Sequence, residues 1–208
     1  MCLVPTLYDI KPRFQALLLP VCRAAVRSGV SANELTLLAL AISVGQGALM
    51  ASFPHERWPL LLLPAALFVR IALNALDGMV ARERGSETAA GALLNELGDV
   101  ISDGALYLPL ALVPGFPAAL VVLATFFAAV SEVAGVLAVH VCGSRRNDGP
   151  MGKSDRALVL GAVALAAGLG VPAGPWTTAA LASVLALLVA TVVNRARGAL
   201  GAAAAHGR

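Results

Sequence analysis

The stretch from Asn74 to Asp103 reads NALDGMVARERGSETAAGALLNELGDVISD, and it carries polar side chains inside two apolar segments. The first segment contains Asn74 and Asp77, and the second contains Asn95, Asp99 and Asp103. At about 100° per residue, the polar side chains of each segment fall on one face of an α-helix. An ionisable group inside a bilayer costs about 3 kcal/mol on insertion scales, so such groups are usually functional. The stretch therefore predicts two antiparallel membrane helices whose polar faces meet.

The composition of the whole chain indicates a membrane protein. Of its 208 residues, 59% are hydrophobic and 13% are charged, whereas soluble domains have about 45–50% apolar and about 25% charged residues. These values exclude a disordered chain, a coiled coil and a typical soluble enzyme. The abundance of Ala, Leu, Val and Gly predicts an all-α integral membrane protein whose helices pack through small residues.

Six apolar stretches are long enough to cross a bilayer, which takes about 20 residues. They are predicted at Asn33–Phe53, Trp58–Arg82, Thr88–Val113, Pro117–Val141, Asp155–Val171 and Trp176–Asn194. Ahead of them, Lys11 to Ser28 mixes basic and apolar residues, which predicts an amphipathic helix in the membrane interface. The chain is accordingly divided into an interfacial segment (1–30), a six-helix domain (31–197) and a short C-terminal tail (198–208).

The positions of the basic residues predict the orientation. Of the 15 Lys and Arg residues, all but Arg57 and Arg70 lie in the N-terminal segment, in the second-to-third and fourth-to-fifth connections, or after the last span. Because Lys and Arg accumulate on the cytoplasmic side, we expect both termini to be cytoplasmic. The chain is expected in the cell (inner) membrane.

The polar faces of the second and third spans lie at similar depths. At 1.5 Å per residue, Asn74 and Asn95 lie about 12 and 10 Å from the cytoplasmic ends of their spans. Carboxylate and amide oxygens suit hard cations, so the cluster predicts a site for Mg²⁺ or Mn²⁺. For Glu132 in the fourth span, the simplest interpretation is an interhelical hydrogen bond.

Four basic residues surround the glycine-rich sequence between the fourth and fifth spans: Arg145, Arg146, Lys153 and Arg156. They predict a flexible basic loop that contacts a phosphorylated acceptor or anionic lipid headgroups. The alternative is that they only mark the cytoplasmic side of the membrane.

These residues resemble the CDP-alcohol phosphotransferase family, whose signature is D-x2-D-G-x2-A-R-x8-G-x3-D-x3-D. Every spacing matches between Asn74 and Asp99. The residue types agree at Asp77, Gly78, Ala81, Arg82, Gly91 and Asp99. Asn74 and Asn95 stand where the family has aspartate, which lowers the formal charge of the motif from −4 to −2. The sequence from Gly29 through Asn33 to Thr36 also resembles the family's entry to the first span.

The resemblance implies a metal-dependent transferase that moves a phosphatidyl group from CDP-diacylglycerol to an alcohol and releases CMP. It implies donor contacts from Asn74, Asp77, Gly78, Ala81, Arg82 and Gly91. It also implies metal ligands among Asp77, Asp99, Asn74 and Asn95, with Asp99 as the group that deprotonates the acceptor hydroxyl. Asp103 or Glu96 is predicted to replace part of the lost negative charge as a metal ligand. We expect membrane lipids and a second copy of the chain, as a homodimer, to be its partners, and no nucleic acid.

Three other classes remain open from the sequence alone. Because of the two asparagines, the chain is alternatively a non-catalytic relative that binds CDP-linked lipids. Buried acids also mark ion routes in transporters, although no inverted repeat is evident. An intramembrane aspartyl protease is the least well matched, since the neighbouring helix lacks a matching partner for Gly98-Asp99.

Overall fold

The computed structural model describes residues 11–206, with side chains from residue 14 to residue 205. Every regular element within residues 11–206 is helical, which confirms the predicted all-α class. The elements are α1 (Lys11–Arg27), α2 (Ala32–Ser52), α3 (Trp58–Arg84), α4 (Ala89–Tyr107), a 3₁₀ helix (Leu108–Leu112), α5 (Ala118–Cys142), α6 (Lys153–Gly168) and α7 (Pro175–His206). The first ten residues of the predicted interfacial segment lie outside the described residues.

The helix boundaries follow the predicted spans closely except at the C-terminus. The first five spans begin and end within three residues of the observed helices, when the 3₁₀ helix is counted with α4. Helix α7, by contrast, continues to His206, beyond the predicted end at Asn194. Most of the segment assigned to the tail is therefore helical.

Among the described residues, four helices are long and apolar enough to cross a membrane: α2, α3, α5 and α7 up to Ala205. Helix α4 carries Glu96, Asp99 and Asp103 within 19 residues, and α6 has only 16 residues. The chain is thus an all-helical integral membrane protein with four candidate spans. The count of six spans and the interfacial position of α1 stay predictions.

A tight connection joins α3 to α4. Gly85 ends α3 in the left-handed region (φ 60°), which glycine adopts without a clash from a Cβ atom. Thr88 then caps α4, where its hydroxyl accepts a hydrogen bond from the Gly91 N–H over 3.0 Å. The chain reverses within a few residues, so the polar residues of both helices lie near this turn.

Apolar packing fixes the opposite ends of the same two helices. A cluster of buried side chains joins Leu63 and Leu67 of α3 to Leu106 of α4 and Leu160 of α6. Helix α2 also approaches α4 so closely that a Cβ atom on Gly47 would lie 2.0 Å from a backbone oxygen of α4. The positions of α2, α3, α4 and α6 around the polar residues are therefore set by packing elsewhere in the bundle.

Candidate active site

The polar faces of α3 and α4 meet, as their spacing predicts. Asn74 of α3 donates from its side-chain amide to Oδ1 of Asp99 on α4 over 2.6 Å. Asp77 lies one turn after Asn74, and both acids are buried, with exposed fractions of 3% for Asp77 and 5% for Asp99. The two motif acids therefore belong to one site between these helices.

Helix α2 forms a third wall of the site. Thr36 Oγ1 donates to Oδ2 of Asp77 over 2.8 Å, and the Gly78 N–H donates to Oδ1 of Asp77 over 2.5 Å. Neither donor is charged, so these bonds orient the Asp77 carboxylate without neutralising it. The motif at the entry to the first span contains Thr36 and was the sequence signal for this wall.

A cavity of about 270 Å³ opens beside Asp77, between α2, α3 and α4. Its lining consists of Ala32, Asn33, Thr36, Asp77, Gly78, Ala81, Ser86, Glu87, Thr88, Gly91, Ala92 and Asn95. A Cβ atom at Gly91 would lie 3.0 Å from Oδ1 of Asn33, and one at Gly78 would lie 3.3 Å from a guanidinium nitrogen of Arg82. A side chain larger than hydrogen at either glycine would therefore crowd Asn33 or Arg82 at the cavity wall.

Asp99 lies against three donors from three different directions. Its Oδ1 accepts hydrogen bonds from Asn74 and, over 3.3 Å, from Arg70 Nη2, which also donates to the Asp99 backbone carbonyl over 3.0 Å. Its Oδ2 is paired with the ammonium group of Lys153, at the start of α6. One oxygen is therefore held by the buried Arg70 and by Asn74, whereas the other is held by a side chain that is 27% exposed.

Both carboxylate oxygens of Asp103 are engaged by arginines. Its Oδ1 accepts from Arg70 Nη1 over 2.5 Å, and its Oδ2 accepts from Arg156 Nη2 over 2.7 Å. Both arginines are fully buried, so the carboxylate is enclosed by guanidinium groups. Glu96, the other predicted substitute, is paired with Arg145. The negative charges of Asp103 and Glu96 thus balance arginines in the structure, and a role for either as a metal ligand stays a prediction.

Glu132 of α5 does more than join two helices. Its carboxylate pairs with Arg145 and Arg156 over 3.0 Å each and with Arg195 of α7 over 3.7 Å. Together with the pairs around Asp99 and Asp103, these contacts form one continuous ion-pair network. Its members are Arg70, Glu96, Asp99, Asp103, Glu132, Arg145, Lys153, Arg156 and Arg195.

The basic loop divides between this network and the surface. Arg145, Lys153 and Arg156 belong to the network, as described above. Arg146 instead pairs with Asp148, two residues along the chain, over 2.6 Å. Arg146 is therefore separated from the other three predicted phosphate contacts.

The sequence alone predicts no site role for three members of the network: Arg70, Glu132 and Arg195. An arginine inside an apolar span was the available signal for Arg70, because such a charge needs a buried partner. The sequence held no comparable signal for Arg195, which lies 63 positions after its partner Glu132.

The residues around Asp77 fit one hard cation better than two. Within residues 11–206, no three His, Cys, Asp or Glu side chains converge where they could hold a metal ion. Among the side chains that the structure describes, none that is cationic forms an ion pair with Asp77, and Asn95 lies on the same cavity wall. Mg²⁺ is commonly bound by one or two carboxylates together with substrate phosphates. A single ion completed by a bound diphosphate suits this donor set.

The family to which the chain belongs follows from its sequence as a whole. The sequence model of the CDP-alcohol phosphatidyltransferases matches residues 30–206, and the chain belongs to this family of enzymes. The predicted resemblance and the predicted class of enzyme are thereby confirmed.

Two relatives are similar to the chain in sequence. The chain is 46% identical over 195 residues to the inner membrane protein YnbA of Escherichia coli, and the match covers 94% of the chain and 96% of the relative. It is 36% identical over 101 residues to a phosphatidylinositol phosphate synthase of Corynebacterium glutamicum, where the match covers 49% of the chain and 44% of the synthase.

Solved structures share the fold. The phosphatidylinositol phosphate synthase of Mycobacterium tuberculosis in complex with manganese and citrate superposes with a TM-score of 0.72 at 22% identity, over 86% of this chain and 87% of that one. The same synthase with CDP-DAG bound gives a TM-score of 0.67 at 24% identity, over 88% and 92% of the two chains.

Proposed function

We propose that the chain transfers a phosphatidyl group from a CDP-linked lipid, of the CDP-diacylglycerol type, to an alcohol, with release of CMP. The observation that carries this proposal is the cavity between α2, α3 and α4. Its lining includes Asp77, Gly78, Ala81, Gly91 and Asn95, and Asn74, one turn before Asp77, is hydrogen-bonded to Asp99. The donor named in one neighbour's structure, CDP-DAG, supports the same substrate class.

We further propose that all six predicted spans cross the inner membrane with both termini in the cytoplasm. Support comes from the outer face of α4, where Leu93, Leu97 and Ile101 are more than half exposed in a row at four-residue intervals. The 19 residues of α4 extend about 28 Å, close to the thickness of a bilayer core. The distribution of Lys and Arg supports the orientation, and the homodimer stays a prediction of the resemblance.

In this proposal the cavity holds the nucleotide end of the donor. Gly78 and Gly91 let the nucleotide approach the backbone of α3 and α4. Arg82, whose guanidinium group lies beside Gly78, binds the diphosphate through charge-assisted hydrogen bonds. The neighbouring synthase bound to manganese supports a divalent ion in this family. Here Asp77 would hold Mg²⁺ or Mn²⁺ with the amide oxygens of Asn74 and Asn95, and the ion would offset the charge that develops on the diphosphate.

Asp99 is the base in the proposed reaction. Because Arg70 and Asn74 fix Oδ1, the carboxylate is held in one orientation, and Oδ2, which is paired with Lys153, is the oxygen that the acceptor hydroxyl approaches. The hydroxyl gives its proton to Oδ2, and its oxygen forms a bond to the lipid-bearing phosphorus. The bond from that phosphorus to the bridging oxygen breaks, and CMP leaves with that oxygen.

The test is a transfer assay on the purified full chain with CDP-diacylglycerol, Mn²⁺ and a panel of alcohols. We expect CMP release that requires both the divalent ion and an acceptor. A protein that binds CDP-diacylglycerol but releases no CMP with any acceptor would instead be the non-catalytic relative. In that case, Asn74→Asp and Asn95→Asp introduced together show whether the lost acids explain the inactivity.

A further inference from the structure

We propose that the acceptor is an alcohol without a phosphate group, an inference that rests on the proposed transferase function. The acceptor hydroxyl must reach Oδ2 of Asp99, where Lys153 lies. A phosphorylated acceptor would need cations with free charge beside this oxygen. The ion-pair network leaves almost none there.

The two most exposed cations of the network, Arg145 and Lys153, are already paired with carboxylates of α4. Lys153 pairs with Asp99, and Arg145 pairs with Glu96, which lies one turn before Asp99 on α4. The side chains of Glu96, Lys153 and Arg145 are 29%, 27% and 33% exposed, whereas the other network members are almost completely buried. A phosphate entering at this point would meet two carboxylates as well as two cations.

The buried cations cannot be reassigned to an acceptor. Arg156 and Arg195 lie inside the bundle, where each pairs with Glu132. Their Nε–H groups have no partner among the described residues, but these atoms are inaccessible from outside. Moving either guanidinium group toward an acceptor would break one of the buried ion pairs of Glu132, which is unfavourable inside the bundle.

The charge balance of the network leads to the same conclusion. Five cations face four carboxylates, which leaves one positive charge in excess. A phosphate monoester carries about two negative charges at pH 7. An uncharged or zwitterionic alcohol therefore fits the charge of the site, and a phosphorylated alcohol does not.

The experiment compares acceptors in matched pairs with the purified full chain: glycerol against glycerol 3-phosphate, and inositol against inositol 1-phosphate. We expect kcat/KM to be at least about tenfold higher for the unphosphorylated member of a pair. A preference for the phosphorylated member overturns the inference while leaving the transferase function intact.

Calorimetry with glycerol 3-phosphate separates the two failures. Binding with a Kd below about 1 mM, a free energy near −4 kcal/mol, overturns the inference whether or not the protein turns over. Absence of CMP release with every acceptor defeats the transferase function and this inference together. Donor binding in that case identifies the non-catalytic relative.

Two variants test the role of the network. Glu96→Gln removes a partly exposed carboxylate and frees one side of Arg145, so we expect the relative kcat/KM for glycerol 3-phosphate to rise about tenfold. The matched control is Asp148→Asn, which frees Arg146 outside the network and should leave the preference unchanged. An unchanged preference in Glu96→Gln, or an equal rise in the control, contradicts the assignment.

Discussion

Replacing Asp103 by asparagine distinguishes an ion-pair partner from a metal ligand. Asp103 accepts hydrogen bonds from Arg70 over 2.5 Å and from Arg156 over 2.7 Å, and all three side chains are buried. We expect Asp103→Asn to destabilise the protein strongly. Its affinity for Mn²⁺ should stay within about twofold of the unmodified value, far less than the tenfold change that about 1.4 kcal/mol would cause. Asp77→Asn should do the reverse, because Asp77 faces the cavity and no cation within the described part of the chain forms an ion pair with it.

The size of the effect follows from the burial of the pair. Removing one partner of a buried ion pair costs about 3–5 kcal/mol, because the other charge is left uncompensated. Asparagine keeps the shape and one acceptor oxygen, so we expect the lower end, about 3 kcal/mol. In a domain of this size, about 1 kcal/mol shifts Tm by about 2–4 °C, which predicts a decrease of about 6–12 °C. Thermal unfolding of the detergent-solubilised protein, followed by tryptophan fluorescence, measures the shift.

The control lies in the same network. Glu96→Gln breaks the pair with Arg145, whose members are about one-third exposed, so the cost should be at most about 1 kcal/mol, or about 4 °C. Equal Tm values for Asp103→Asn and the unmodified protein would refute the idea that buried charge balance holds these helices. A large loss of Mn²⁺ affinity in Asp103→Asn would return this residue to the metal site.

Three further predictions address the base, the cavity and the thiols. Asp99→Asn should reduce CMP release by about 10²–10⁴ while CDP-diacylglycerol still binds, and an unchanged rate would exclude Asp99 as the base. Gly91→Ala should weaken donor binding severalfold because its Cβ atom crowds the cavity wall, whereas Gly104→Ala on the same helix adds a methyl group into open space and should not. Burial raises the pKa of the Cys22 thiol and shields it from reagents. In a Cys2→Ser variant, a maleimide at pH 8 should therefore modify Cys142 well before Cys22. Equal rates would contradict the burial of Cys22.

Local signals in the sequence were sufficient to place most of the helices. Gly85 and Thr88 end α3 and begin α4 through their own backbone and side-chain preferences, so the turn between the two helices was predictable. The positions of Asp77 and Asp99 on facing sides followed from helical spacing alone. The end of α7 was not predictable in this way, because Arg195 resembles a polar boundary but is buried against Glu132.

The partners of the acids were beyond local signals. Spacing within a helix shows which side a carboxylate faces, but it does not show which cation arrives from a distant helix. Asp103 pairs with Arg156, 53 positions along the chain, and Asp99 pairs with Lys153, 54 positions along. The sequence alone therefore predicts Asp103 as a metal ligand, whereas in the structure its carboxylate pairs with two arginines.

The pair between Arg70 and Asp103 also has a consequence for biogenesis. Arg70 precedes Asp103 by 33 residues, so the ribosome delivers both charges within one helical hairpin, before α6 and α7 exist. Charges that enter the lipid phase already paired avoid part of the penalty that each would incur alone. We therefore expect α3 and α4 to leave the translocon as a unit, with Lys153 and Arg156 joining when the later helices insert.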